Sequence, residues 1–294
     1  MPSRLIDILN AHSRIAGPVP APAWWDRAWC ATLVYAAAAI AATWPLVTRL
    51  GSALPVDLGD SLLNCWILSW GAEHATRLAT GDLAAFGEYW NAPIFHPAPL
   101  ALAYSEHMFA QAVQIAPVYA LTQNILLCYN LLFLSTFVLS GLGMYLLVRE
   151  FTASGLAALA AGAFYGFAMY RLPQFTHLQV LSSQWLPFAL YGFRRFFVHR
   201  RWRALAVATA ALTAQNLSCG YYLLCFPPFV AAYCLAEIAA RGAWRDRRVI
   251  GGLAASAAVV VLVTAPLASY LVVLHSEKAS HSRVGHPRAL KSVW

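Results

Sequence analysis

ILLCYNLLFLSTFVLSGLGMYLLVR, residues 125–149, carries a single charge, at its last position. A helix that crosses a bilayer needs about 20 consecutive, mostly apolar residues. This run therefore predicts a transmembrane helix and places the chain among the all-α integral membrane proteins. Outward from it we predict seven spans in all. The other six lie at 28–48, 152–170, 182–199, 202–218, 219–240 and 248–274.

The whole chain has the composition of a membrane protein. Hydrophobic residues make up 60% of it and charged residues 11%, with a mean hydropathy of +0.58. Soluble domains carry about 25% charged residues. The net charge of +8 is compatible with nucleic-acid binding, but most arginines lie in short clusters beside apolar runs, where membrane topology explains them. We therefore expect no nucleic-acid partner.

The arginine clusters predict the orientation of the chain, because basic residues concentrate in the cytoplasmic loops of membrane proteins. With seven spans, all four clusters fall on one side. The N-terminus is then cytoplasmic, and the chain crosses the membrane several times. The clusters are Arg4, Arg14 and Arg27; Arg149; Arg194, Arg195, Arg200, Arg201 and Arg203; and Arg241, Arg245, Arg247 and Arg248.

The chain divides into three parts and shows no internal repeat. Residues 1–27 form a cytoplasmic segment without the features of a cleavable signal peptide. Residues 28–275 form one multi-span membrane domain, which includes an outer loop at 50–124. The tail, 276–294, is short and polar, which is typical of a truncated end.

The first part of the outer loop is unusually acidic. Residues 50–106 hold six of the chain's 12 acids and a single basic residue, Arg77. Because charge is costly beside lipid, carboxylates gathered on one membrane loop indicate where chemistry or binding takes place. The loop also has two amphipathic stretches, 61–78 and 106–124, which predict helices lying in the outer membrane interface. The six acids are Asp57, Asp60, Glu73, Asp82, Glu88 and Glu106.

Asp57 and Asp60 follow the first predicted span closely. A carboxylate at the membrane surface can act as a general base toward a hydroxyl or amine, or can help to hold a divalent cation. The structural alternative is that Asp60 caps the helix beginning SLLN and that Asp57 is a solvated turn residue.

A second set of candidates, His96, Glu106 and His107, lies on one short stretch of the outer loop. Their spacing matches no known metal site, so no metal ligand is predicted. Glu106 in the first turn of a helix is the structural interpretation. Contact with a substrate is the functional alternative for all three.

The remaining candidates lie in two later loops. Arg171 could pair with a phosphate close to the bilayer, or alternatively extend to lipid headgroups. His177 and Gln179 are suited to hydrogen bonding with a substrate. A further polar group comprises Gln215, Asn216, Ser218, Tyr221 and Tyr222. We expect these two regions and the outer loop to converge on one face.

Four runs of the chain resemble poorly characterised bacterial multi-pass proteins of the GT-C glycosyltransferase superfamily. They are DLGDSLLNCWILSW, NAPIFHPAPLALAYSEH, NLLFLSTFVLSGLGMYLLVRE and FAMYRLPQFTHLQVLSSQWLPFAL. The resemblance covers about residues 28–275. It implies a seven-span module with two interfacial helices in the first outer loop and a catalytic acid soon after the first span. Such an enzyme is a multi-pass protein of the bacterial inner membrane. It takes a sugar from a polyprenyl-phosphate carrier and delivers it to an acceptor at the outer face of that membrane.

The resemblance also implies roles for individual residues. Asp60 is the base or orients the acceptor, and Asp57 is its alternate. Arg171 contacts the carrier phosphate, and His107 and His177 line the pocket. Many relatives carry another acid between the third and fourth spans, whereas the corresponding loop here has none. The resemblance therefore leaves a divalent cation as an open question.

Two other functions remain open at this point. A transporter or lipid flippase would call for polar or charged residues near the middle of the spans, and the central portions here are nearly free of charge. The third alternative is a membrane assembly subunit without catalytic activity.

Overall fold

The computed structural model describes residues 26–56, 58–94 and 100–283, and these residues form helices and loops without any β-strand. The all-α class predicted from the sequence is confirmed over these ranges. In chain order, the α-helices are α1 Ala28–Ala42, α2 Gly59–Ala79, α3 Ala84–Tyr89, α4 Phe109–Thr122, α5 Ile125–Thr152, α6 Gly155–Gly166, α7 Leu178–Leu181, α8 Trp185–His199, α9 Trp202–Asn216, α10 Gly220–Arg241 and α11 Arg247–Arg283. Short 3-10 helices lie at Leu46–Arg49, Ala101–Tyr104, Met169–Gln174 and Ala243–Arg245.

A helix occupies the position of each predicted span, but within the described residues three are long and apolar enough to cross a bilayer. These are α5, α10 and the part of α11 from Arg247 to Pro266. Helices α1, α6, α8 and α9 have 12 to 15 residues. That length is about 18–23 Å, against a hydrocarbon core of about 30 Å. Seven full spans are therefore not confirmed. Apolar residues such as Leu46 and Met169 lengthen the apolar runs of the sequence, but they lie in short 3-10 helices beyond α1 and α6.

Helices α2 and α4 occupy the two stretches of the outer loop where the sequence predicts helices, and their place in the membrane interface stays a prediction. Two asparagines at the N-terminal end of α5 bind the backbone of the outer loop where that loop begins, at Leu50 and Gly51. Asn124 caps α5 by accepting a hydrogen bond from the Leu127 N–H (3.0 Å), and its Nδ2 donates to the Gly51 carbonyl oxygen (3.1 Å). One turn and a half further on, Asn130 Nδ2 donates to the Leu50 carbonyl oxygen (2.7 Å).

Small residues allow the closest helix contacts. At Gly141 on α5, an added Cβ would lie 2.8 Å from the ring of Tyr35 on α1. At Gly192 on α8, it would lie 2.7 Å from the carbonyl oxygen of Ala204 on α9. Small residues at crossings are typical of helices packed within a membrane. Helices α8 and α9 therefore form a tight hairpin.

The basic clusters that the structure describes meet at one end of the helices, which we name the arginine end. The Tyr145 hydroxyl of α5 donates to the backbone oxygen of Asp26 (2.6 Å), which brings the start of α1 to this end. Contacts between basic and acidic side chains join the others. They are His199–Glu150 at 3.3 Å, Arg200–Asp246 at 3.1 Å and Arg194–Glu237 at 2.9 Å. Which compartment the arginine end faces stays a prediction.

Candidate functional site

Asp60 and His177, two residues singled out by the sequence, contact each other. Asp60 lies in the first turn of α2, and His177 immediately precedes α7. Nε2 of His177 lies 2.9 Å from Oδ2 of Asp60, and the two side chains are 38% and 54% exposed. The structure thus combines a carboxylate and an imidazole from two separate loops in one solvent-accessible pair.

Asn64 holds the two loops together. It lies one turn after Asp60 on the same face of α2, and it is buried. Its Nδ2 donates to the Thr176 carbonyl oxygen (3.0 Å) and to Oε1 of Gln179 (3.1 Å). These bonds flank His177 along the chain, so they fix the backbone from which the imidazole reaches Asp60.

The pair has the parts of a general base. The carboxylate of Asp60 can accept a proton, and the imidazole of His177 can donate Nε2–H to one of its oxygens. On the other side of the ring, Nδ1 of His177 lies 3.3 Å from the Thr176 hydroxyl. A histidine oriented in this way holds the carboxylate in one position while half of its surface stays open to a reactant. No third His, Cys, Asp or Glu joins them in a metal-sized group within the described residues.

Arg171 lies inside the protein and not at its surface. Its side chain is fully buried, and the guanidinium packs over the Phe137 ring at 4.8 Å. It donates to the Thr136 hydroxyl (3.1 Å), the Ser183 hydroxyl (3.2 Å) and the Leu181 carbonyl oxygen (3.1 Å). This geometry does not fit the alternative that Arg171 extends to lipid headgroups. Its bonds instead tie the loop that carries His177 to α5.

Glu106 precedes α4, which begins at Phe109, so the interpretation that it lies in the first turn of a helix is wrong. Its side chain instead contacts the start of α10. Its Oε2 accepts a hydrogen bond from the Gly220 N–H (3.3 Å). Burial raises the pKa of the Glu106 carboxyl, and the bond from Gly220 opposes that rise. Burial, together with the nearby Glu106, raises the pKa of the Cys219 thiol to about 12. The contacts of Glu106 join the outer loop to α10.

His107 is enclosed by the outer loop itself. Its Nδ1 accepts from the Phe109 N–H (3.3 Å), and its carbonyl oxygen accepts from the Tyr89 hydroxyl. Burial lowers the pKa of His107 to about 4, so the ring is neutral at pH 7. These contacts belong to α3 and the start of α4, and no contact joins His107 to Asp60. Asp57 and His96 lie outside the described residues.

The three polar regions meet at the end of the helices opposite the arginine end, and we name this meeting place the junction. The Asp60–His177 and Asn64 contacts join the outer loop to the loop before α8. Gln111 Nε2 donates to the Ser218 carbonyl oxygen (2.8 Å), which joins α4 to the turn between α9 and α10. Gln215 Nε2 donates to the Ser182 carbonyl oxygen (2.7 Å), which joins the two later loops. Each region therefore contacts both others.

An apolar groove of about 790 Å³ runs along one face of α9, between that helix, α4 and α11. On α9 its lining recurs from Trp202 to Leu217, a rise of about 22 Å at about 1.5 Å per residue. Phe109 and Trp185 line it near the junction. Two buried polar atoms in the lining, Nε1 of Trp185 and Oγ1 of Thr213, lack a hydrogen-bond partner. The size lies within the roughly 300–1,000 Å³ of ligand pockets, and the length suits one long hydrocarbon chain.

Comparison of the chain with protein-family models, with curated proteins and with solved structures finds no match. The site is therefore defined by its geometry alone.

Sequence reasoning missed two features of the site. Asn64 was one turn from Asp60, a spacing that places both on one face of α2, and this was the signal that could have found it. The groove was marked by small residues and hydroxyls recurring along α9, among them Thr209, Ala210 and Thr213. The sequence alone could not show that α4 and α11 leave that face uncovered.

Proposed function

We propose that this protein is a membrane-embedded glycosyltransferase of the GT-C type. It moves a sugar from a polyprenyl-phosphate carrier to a hydroxyl or amine acceptor at the outer face of the inner membrane. The observation that carries the proposal is the pair of Asp60 and His177, an exposed carboxylate held by an imidazole at the junction. The sequence runs that resemble the superfamily include both residues.

In the proposed reaction, Asp60 takes the proton of the acceptor while the acceptor oxygen or nitrogen attacks the anomeric carbon of the sugar. The bond between that carbon and the phosphate oxygen breaks, and the carrier leaves as polyprenyl phosphate. His177 acts as a positioning residue, because it fixes one carboxylate oxygen and leaves the other for the acceptor. A well-placed base of this kind contributes about 10²–10⁴-fold to a rate.

The groove along α9 supports the lipid part of the proposal, since it offers an apolar surface for the carrier's chain that extends to the junction. The buried position of Arg171 favours a positioning role for that residue over direct contact with the carrier phosphate. We derive no step through a divalent cation, because the partner of Asp60 is a histidine and, among the described residues, no group of three or more His, Cys, Asp or Glu side chains is placed to hold a metal ion.

The test is transfer of radiolabelled hexose from polyprenyl-phosphate donors by the full chain in proteoliposomes. Asp60→Asn keeps the shape of the side chain and removes the base, so we expect transfer to fall by about 10²–10⁴-fold. Glu73→Gln is the matched control, because it removes one exposed acid from the same helix, and we expect it to change transfer by less than about twofold. Equal transfer by wild type and Asp60→Asn would remove Asp60 from the mechanism.

A lipid flippase is the second candidate, and one observation favours it. The groove contains Gln114, Thr209, Thr213 and Ser256, so polar side chains recur along an otherwise apolar path. A flippase would move a fluorescent polyprenyl-phosphate analogue between leaflets whether or not Asp60 is changed to Asn. The glycosyltransferase requires that residue.

A further inference from the structure

A small pocket at the arginine end is lined by three arginines and no carboxylate. Its volume is about 200 Å³, and it lies between the end of α8 and the start of α9. The lining consists of Tyr191, Gly192, Arg195, Arg201, Arg203, Ala204 and Val207. Guanidinium groups that share one small cavity repel each other. An anion bound among them would remove that repulsion.

Other arginines at this end already have acidic partners. Arg194 and Arg241 both contact Glu237, at 2.9 and 2.7 Å, and Arg200 contacts Asp246 at 3.1 Å. Glu237 and Asp246 are therefore used by arginines outside the pocket.

The pocket arginines differ from these. Arg195 has its nearest carboxylate, Glu150, 3.9 Å away, and its buried Nε makes no hydrogen bond. Arg195 also donates to the Tyr191 hydroxyl (2.8 Å), and its guanidinium lies 5.6 Å from the centre of the Tyr191 ring. Arg201 and Arg203 are exposed, and neither side chain has a partner among the described residues. A cluster that only set membrane topology would need neither a shared cavity nor this lack of acids.

The backbone adds positive potential at the same place. Arg201 is the N-cap residue of α9, and no side chain caps that end. The N-terminus of a helix carries a partial positive charge and favours anions, above all phosphate. Arginine binds phosphate in a forked, two-bond geometry. The pocket therefore has the chemistry of a phosphate site.

The rest of the lining indicates which phosphate. Ala204 and Val207 continue from the arginines along α9 and are apolar, as is Gly192 opposite. Basic pockets between helices at a membrane surface bind the headgroups of anionic lipids. We propose that this pocket binds the phosphate of an anionic phospholipid from the leaflet at the arginine end, with the lipid's chain lying along Ala204 and Val207. The proposal is independent of the glycosyltransferase function.

The experiment measures binding of phosphatidylglycerol to the full chain in a neutral detergent, by native mass spectrometry across a lipid titration. Arg201→Gln/Arg203→Gln removes two of the three arginines. At about 1 kcal/mol for each arginine near an anionic surface, we expect the dissociation constant to rise roughly 30-fold. Arg245→Gln/Arg247→Gln is the matched control, because it removes two exposed arginines from the same end and leaves the pocket intact.

Two further comparisons use lysine variants and a second lipid. Arg201→Lys/Arg203→Lys preserves the charge and so tests the forked geometry if the glutamine variant does not accumulate; we expect weakened binding here as well. Phosphatidylethanolamine should bind more weakly than phosphatidylglycerol to the wild type. The proposal is overturned by equal losses in the pocket and control variants, by lysine variants that bind like wild type, or by equal binding of the two lipids. Competition by inorganic phosphate at the same concentration as the lipid would also overturn it in favour of a soluble ligand.

Discussion

The imidazole of His177 contacts the carboxylate of Asp60 through Nε2 and Oδ2, 2.9 Å apart, although the two residues belong to different loops. Neither loop fixes the other by chain connection, so the contact depends on the bonds that Asn64 makes on either side of His177. In the proposed reaction, the base depends on contacts between two loops, so both loops must be in place.

Removing the imidazole should lower transfer less than removing the carboxylate. We expect His177→Ala to reduce kcat by about ten- to a hundredfold with little change in KM, because Asp60 remains but is less well oriented. His177→Gln, which can still donate N–H to Asp60, should recover part of the loss. In the double variant with Asp60→Asn, the His177 change should add almost nothing. If the loss of transfer in the double variant were the product of the losses in the two single variants, the residues would act separately. His199→Ala, at the arginine end, serves as the control.

Replacing Asn64 should loosen the loop that carries His177. Asn64→Leu keeps the size of the side chain but leaves the Thr176 carbonyl oxygen and Gln179 without their donor, which costs about 1–3 kcal/mol. We expect a lower melting temperature in detergent together with reduced transfer. Ser69→Ala is the control on the same helix, since that hydroxyl bonds only to the Trp66 carbonyl oxygen (2.9 Å). Equal melting of the two variants would contradict a tethering role.

The outer loop should lose stability in mild acid through His107. Because its pKa is lowered to about 4 by burial, against about 6.5 in an unfolded chain, its contribution is complete above pH 6.5. That contribution is lost as the pH falls toward and through 4. The full loss is about 3 kcal/mol, since one pKa unit corresponds to about 1.4 kcal/mol. Between pH 7 and pH 4, the melting temperature of the wild type should therefore fall more than that of His107→Asn. The amide oxygen of asparagine can still accept the hydrogen bond from the Phe109 N–H.

Glu106 acts in the opposite direction in that experiment. Its pKa is raised by burial, so its contribution is complete below its unfolded pKa and is lost as the pH rises through the folded value. The comparison of His107 variants is therefore made in a Glu106→Gln background, where this second titration is absent. Parallel pH profiles in that background would show that His107 does not control acid stability.

Filling the groove should impair use of a long carrier while sparing a short one. Ala210→Phe adds an aromatic ring to the middle of the lining on α9. We expect KM for a long polyprenyl donor to rise at least about tenfold, and KM for a donor of one or two isoprene units to change little. Ala254→Phe is the control, because that exposed position on α11 does not line the groove. Equal effects on long and short donors would show that the hydrocarbon chain of the carrier does not bind in the groove.

The sequence predicts the helices and the convergence of the polar loops well, because hydrophobic periodicity and charge placement depend on local residue types. It does not determine how far each span extends, since apolar residues such as Leu46 and Met169 lie in short 3-10 helices beyond the ends of the α-helices. Nor does it separate a buried arginine from a surface one. Arg171 ends within the protein because Thr136 and Ser183 accept its hydrogen bonds, and that information comes only with the tertiary contacts.

The close approach at Gly192 has a mechanical consequence. A Cβ at Gly192 would lie 2.7 Å from the Ala204 carbonyl oxygen, so the backbones of α8 and α9 are in direct contact there. Because closely packed helices resist sliding past each other, we expect the hairpin to move as one rigid unit. One of its ends carries Arg201 and Arg203, and the other carries Gln215. A displacement imposed at either end should therefore reach the opposite end as a tilt of the whole hairpin.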